Sequence, residues 1–212
     1  MRSVRRPLVV VTLVALAQLN AHAVTTQQAV GQISQTSFQS YLSGLPVHIG
    51  DNRGFDVARA GGMVIHGNQH DIARDLIFTA FRRSGWLTSI DPFSIHDTSG
   101  NIWAGENVVA VKQGNSRPDD IYLVGAHYDA KNNPGANDNG TGVAGLLEMS
   151  RVLSRYTFDA TIVFAAFDGE EVTAYGADGA TYRRIGSVHY ARAHAGDNIQ
   201  AMISYDMVGW ND

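Results

Sequence analysis

The stretch Ile121–Gly142, I-Y-L-V-G-A-H-Y-D-A-K-N-N-P-G-A-N-D-N-G-T-G, leaves this chain the fewest choices. Its first six residues are apolar and rich in β-branched and aromatic side chains, which reads as a buried strand. His127 and Asp129 sit where that strand ends. A Pro-Gly loop follows, then Asp138, then glycines that open a helical pattern. In open α/β sheets, ligands gather beyond the carboxyl ends of the strands. A histidine, two aspartates and a tight loop at such an end have the character of a metal site.

The rest of the chain builds a sheet around that strand. Apolar runs at Trp86–Ile90, Asn107–Lys112, Thr161–Phe167 and Ile199–Tyr205 predict four more strands. Helical spacing is firm over Gln69–Ser84. There Ile72, Leu76 and Ala80 run beside Ala73, Ile77 and Phe81, with Asn68 as N-cap and Gly85 as the stop. A second helix is predicted over Gly142–Ser154, a third over Ser187–Ala195, and one or two short ones within 24–45. Residues 50–67 read as a loop. Strands alternating with helices predict an α/β fold, a mixed and mostly parallel central sheet flanked by helices.

The first 23 residues stand apart. Arg2, Arg5 and Arg6 precede a mostly apolar run from Pro7 to Leu19, and Ala21-His22-Ala23 makes a small-residue cleavage site. That is the pattern of a secretory leader, and the apolar run is too short for a typical membrane span. The expected organisation is a leader over 1–23 and one domain over 24–212, with 24–67 as a helical and loop lead-in. The expected location is secreted or periplasmic. Without cysteine, neither lipid attachment nor a disulfide framework is available. The leader takes three of the 16 Lys and Arg residues, leaving 13 against 20 Asp and Glu, a charge of −7. An acidic chain with no basic run is a poor nucleic-acid binder, and nothing suggests a membrane-surface helix.

Three predicted strands end at acidic or histidine-bearing turns: His127, Glu170-Glu171 and Asp206. A zinc site that performs hydrolysis needs imidazole and carboxylate ligands from several elements, plus one carboxylate free to move protons. His127, Asp138, Glu171 and Asp206 are the candidate ligands. Asp129 could accept a hydrogen bond from the His127 ring and fix its tautomer. Glu170 is the candidate general base. Taken singly, each is weak: a histidine at a strand end is usually structural, and a Glu-Glu pair is usually a solvated turn. The ordered set H-x-D, P-G-A-x-D-N-x-x-G, D-G-E-E and Y-D-M is harder to dismiss.

That ordered set resembles the zinc-dependent exopeptidases related to bacterial leucyl aminopeptidase, peptidase family M28. The resemblance extends from about Asn107 to Asn211. It implies a zinc exopeptidase fold of the phosphorylase-hydrolase-like type, peptide or protein N-termini as substrate, and two zinc ions. Asp138 would bridge them, His127 and Asp206 would hold one, Glu171 the other, and Glu170 would be the base. Asn137 stands where the family commonly has Asp, beside the bridging position. The segment from Val172 to Ile185 is longer than the family's link and would lie near the site mouth. The family's last histidine ligand falls downstream of the D-M-x-G strand, so a C-terminally incomplete domain, cut after the fifth predicted strand, is expected. One full zinc site, low activity and an exposed sheet edge would follow.

Other readings compete. Gly140–Gly145 fits G-x-G-x-x-G, and Asp168 could serve as a ribose partner, which would suggest dinucleotide binding. A loop holding Pro134 separates that motif from its strand, against the usual arrangement. A nucleophilic hydrolase has neither cysteine nor a G-x-S-x-G elbow to use. His66 and His70 are spaced i, i+4 but lack the adjoining Glu of H-E-x-x-H, and read as loop and helix-start residues. His48, His96, His189 and His194 read as surface residues. Two further classes share the resemblance. Animal-type glutaminyl cyclases would use Asp138, Glu171 and the downstream histidine. A non-catalytic homologue or inactive remnant would keep the fold alone.

Overall fold

The computed structural model describes residues 25–47, 53, 55–56, 63–66, 68–96, 98, 102–131, 133–175 and 181–209. The expected leader and His48 lie outside the described residues. Helices α1 (Thr26–Val30) and α2 (Gln35–Gly44) come first, followed by strands β1 (Phe55–Asp56) and β2 (Met63–His66) and helix α3 (Asn68–Arg83). A long hairpin of β3 (Leu87–His96) and β4 (Ile102–Lys112) leads to β5 (Arg117–His127). An irregular turn at Ala136–Thr141 then enters α4 (Gly142–Leu153). Strand β6 (Ala160–Phe167), the two-residue strands β7 (Ala174–Tyr175) and β8 (Thr181–Tyr182), helix α5 (Ile185–Ala193) and β9 (Ile199–Tyr205) complete the order.

All five expected strands pair in one mixed sheet, ordered β1-β2-β4-β6-β5-β9 with β3 paired to β4. Among the described strands of this sheet, β2–β4, β5–β6 and β5–β9 pair parallel, while β1–β2, β3–β4 and β4–β6 pair antiparallel. Parallel pairing therefore dominates the half around β5 rather than the whole sheet. Part of the loop expected over 50–67 is instead strand, because Met63 and Val64 find parallel partners in Ile102 and Trp103. The hairpin overruns its expected ends for a similar reason. Pro92 lies opposite Glu106 on β3, whose described pairing is with β4 alone, and an edge strand can spare the missing N–H.

Helices cover both faces. On one side Val108, Val124, Phe164 and Ala166 of the sheet pack under Ala73, Ile77 and Phe81 of α3 and Leu146 and Leu147 of α4. On the other, Val109, Leu123, Ala165 and Phe167 meet Tyr190 of α5. Of the double stripe expected on α3, only one row is fully buried; Ile72 is 54% exposed. A helix laid on a sheet buries one stripe fully, and the second row is partly covered: Leu76 and Ala80 pack against the same core while Ile72 lies outside it. The helix starts at Asn68 itself rather than after it, a one-residue difference in boundary. Its end is as expected. Gly85 takes φ +84, its N–H donates to Arg82 O, and the Trp86 N–H donates to Phe81 O. That double bond closes the helix and drops Trp86 edge-on against Phe164, centroids 4.8 Å apart.

One buried ion pair fastens the N-terminal helices to α4. Glu148 is 2% exposed, and its Oε1 accepts from the Ser34 N–H and from Arg151 Nη2, both at 2.6 Å. Arg151 Nε donates to Oε2 at 2.8 Å. Burial alone would raise the Glu148 pKa, but the bonds from Arg151 and Ser34 outweigh it and hold it below the usual value. Stability from this group is complete above the unfolded carboxylate range and is lost as pH falls through the lowered folded value. Glu148→Gln is expected to cost about 1.5 kcal/mol at pH 7, because one of the two oxygens that accept from Arg151 becomes an NH2 while Arg151 keeps its bond to Gln32 O. The urea midpoint should also fall less steeply in the variant from about pH 5 to about pH 3; parallel profiles would show that the pair contributes nothing.

Candidate metal centre

Register brings the site together. Strand β5 runs parallel to both β6 and β9, with His127 opposite Phe167 and Ala126 opposite Tyr205. The residues just past those three ends therefore emerge side by side at one edge of the sheet, in the crevice that α/β folds use for ligands. His127 Nε2 lies 3.1 Å from Asp138 Oδ1 and 3.9 Å from Asp206 Oδ1. Ligand atoms of these three residues all fall within 4.8 Å of one another, the one such group among the described residues. Glu171 is not part of it.

The loop carrying Asp138 is held from both ends. Asn139 is fully buried; its Nδ2 donates to Tyr205 O at 2.8 Å, and its Oδ1 accepts from the N–H groups of Gly142 and Met207. One side chain thus ties the Asp138 turn to the strand end that presents Asp206. On the other side, Arg53 is buried and donates from Nη2 to Gly135 O at 2.5 Å and to Pro134 O at 3.3 Å. Gly135 takes φ +64, and a Cβ there would meet Arg53 Nη2 at 2.2 Å, so both conformation and space require glycine. Residue 53 fell in the expected loop, where nothing in the local sequence marks a buried cation.

Asp129 connects the histidine to the glutamates. It is fully buried; Oδ1 accepts from the Glu170 N–H at 3.1 Å and Oδ2 from the Glu171 N–H at 3.0 Å. His127 Nδ1 is buried and faces Asp129 Oδ1 from 3.4 Å, long for a hydrogen bond. With Nδ1 turned to a carboxylate, Nε2 is the nitrogen left to face Asp138 and Asp206. Burial pushes the His127 pKa down, yet the adjacent Asp129 carboxylate first, and then the charges of Glu170 and Asp138, outweigh it and lift it to about 9. Glu171 is pushed above the usual value by burial first, then by the charges of Asp138, Asp129 and Glu170. Such a surplus of negative charge is what a divalent cation would offset. One imidazole and two carboxylates suit zinc, and the residues present fit it.

Glu170 stands beside this group with its Oε1 3.2 Å from Arg184 Nε. The backbone of Arg184 takes φ +56, and its N–H donates to Glu170 O. Both side chains line a cleft of about 220 Å³ that also contains His127, Asp206, Phe167 and Met202. A larger apolar hollow of about 540 Å³ lies elsewhere, between α1 and α4. Its carboxylate, Glu148, is already bonded, so chemistry is better served by the smaller cleft.

Other histidine expectations change. His70 is buried with Nε2 2.8 Å from Asp168 Oδ1, rather than a plain helix-start residue. His189 is only partly exposed, with Nε2 3.1 Å from Asp91 Oδ1. Asp168, the acid a dinucleotide reading needs, is fully buried and taken by His70 and by the Glu106 N–H. It is not available to a ribose.

Known proteins resemble this chain in sequence and in fold. The description of Peptidase family M28 matches residues 107–212. A probable zinc metalloprotease of Pyrenophora teres f. teres is 42% identical over 113 residues, 48% of this chain and 22% of that protein. Aminopeptidase YwaD of Bacillus subtilis is 44% identical over 73 residues, 34% of this chain and 16% of its own length. Among solved structures, glutaminyl cyclase of Porphyromonas gingivalis superposes with TM-score 0.66 at 26% identity, covering 84% of this chain and 60% of that one. The chain thus spans about a fifth of the length of the curated relatives it matches.

Proposed function

The chain belongs to peptidase family M28, and from that premise we propose that it carries the metal-binding and proton-transfer residues of an exported zinc aminopeptidase. The observation that supports this most is the convergence of Asp138 and Asp206 on His127 Nε2. These three would hold one zinc, and Asp138 and Glu171 would contribute to a second. Zinc, when bound, acts as a Lewis acid that lowers the pKa of water and polarises a carbonyl.

The chain's own residues do the rest. Asp129 keeps the His127 ring turned so that Nε2 faces the ligand carboxylates. Glu170 takes the proton from the attacking water and passes it to the leaving amine as the scissile C–N bond breaks. Phe167 and Met202 give the cleft an apolar wall. Substrates would be peptides or proteins with a free N-terminus, and the leader at 1–23 would direct export.

Titrating the purified chain with zinc and assaying it on unblocked and N-acetylated aminoacyl amides tests this reading. One tightly bound ion and slow hydrolysis, of the unblocked substrate alone, are expected. Failure to bind zinc would sink it. A second reading has one observation behind it, the likeness to a glutaminyl cyclase at 26% identity. That activity would release ammonia from an N-terminal glutaminyl peptide without cutting its chain. The cyclase set inferred from the resemblance uses Glu171, which stands outside the group around His127. The aminopeptidase reading is therefore preferred.

A further inference from the structure

The pair His70–Asp168 lies beneath the site and takes no part in the chemistry proposed above. Both side chains are fully buried, on elements 98 positions apart, with Nε2 and Oδ1 2.8 Å from each other. Burying an ionisable pair costs more than packing two apolar side chains in the same volume. A pair that only glued α3 to the sheet could be replaced by leucines. What distinguishes it is where Asp168 stands: one residue past the end of β6 and two before Glu170.

Every polar group of Asp168 that is placed here fixes the direction of the chain. Its N–H donates to Asn107 Oδ1, its carbonyl accepts from the Gly186 N–H, and its Oδ2 accepts from the Glu106 N–H. The next carbonyl, of Gly169, accepts from the Ile185 N–H, and Gly169 turns at φ +67. The two glutamates then hang their N–H groups on Asp129. His70 touches both supports of that turn: it bonds Asp168, and its ring lies 5.0 Å from that of Tyr128, between His127 and Asp129 in sequence. Tyr128 in turn donates its OH to Glu106 O at 2.7 Å, beside the N–H that holds Asp168.

We propose that His70, through Asp168, is a positioning residue for the Glu170–Glu171 turn. It sets the angle at which β6 delivers the base and the second carboxylate to the metal centre. The catalytic part of this inference rests on the aminopeptidase reading; the positional part does not.

Two substitutions in the full chain test it. His70→Leu removes the donor, whereas His70→Gln offers an N–H the same number of bonds from Cα. Amide hydrogen exchange at Glu170 and Glu171 is the readout that needs neither zinc nor turnover. In His70→Leu those two amides should exchange at least about tenfold faster while β5 and β6 interior amides keep their protection. His70→Gln should restore them to within about threefold of the original chain. In the zinc-loaded chain, kcat should fall about 30-fold for His70→Leu with KM within about twofold, since a small misplacement of a reacting group costs about that much. Unchanged exchange at both glutamates would overturn the proposal. So would a uniform loss of protection across β5 and β6 that glutamine does not rescue, which marks a staple of the fold. A chain that binds no zinc would refute the earlier reading, while the exchange result would still decide this one.

Discussion

Glu170→Gln is expected to reduce kcat by about a thousandfold, within the range for loss of a general base, while zinc binding is retained. The reasoning is geometric. Glu170 is adjacent to the candidate ligand Glu171, yet its Oε1 lies 3.2 Å from Arg184 in the cleft rather than in the group around His127. The amide cannot accept a proton, but it keeps the size and the N–H bond to Asp129. KM should therefore stay within a few-fold, and zinc stoichiometry should not change. The contact with Arg184 is also weakened, and Arg184 is 71% exposed, so little stability is lost with it. Steady-state kinetics beside metal analysis on the same preparation check the prediction. Retained turnover would remove Glu170 from its role; loss of turnover together with loss of zinc would move it among the ligands.

What the sequence made legible follows from what strands do to neighbouring residues. His127 and Asp206 could be picked out because each ends an apolar run and parallel strands bring their carboxyl ends together, and Asp138 because it follows a Pro-Gly loop just past one of those ends. Strands β5 and β6 were visible for a related reason, since buried parallel strands are nearly continuous in hydrophobic residues. The supports were not visible. Arg53, His70 and Asn139 are buried polar residues whose partners lie 82, 98 and 66 positions away. Local patterning carries no mark of such a partner. On α3 the pattern misled at one position, because Ile72 continues an apolar row past the point where the core covers it. The short strands β1 and β2 were hidden by glycine-rich surroundings, where a few β-branched residues do not outweigh turn chemistry.

The same asymmetry makes Asp129 the more instructive second target. Its sequence context, two residues past a histidine at a strand end, suggested a partner for the imidazole alone. The structure gives it two further duties, since both oxygens accept backbone N–H groups from the Glu170–Glu171 turn. Asp129→Ala is therefore expected to do two separable things. Two partly buried N–H groups lose their acceptor, which should cost about 2 kcal/mol and lower Tm by roughly 4–8 °C for a domain of this size. His127 loses the carboxylate that orients it, which should weaken zinc binding about 10–100-fold. Asp129→Asn offers a middle case, because one oxygen remains but the amide NH2 must face either a backbone N–H or the ring. Its affinity should fall less than that of alanine, and by more than its change in Tm would suggest. Calorimetric zinc titration and thermal melts of both variants separate the effects. If Tm drops while zinc affinity is untouched, Asp129 serves the turn only, and the His127 ring must be held by its burial.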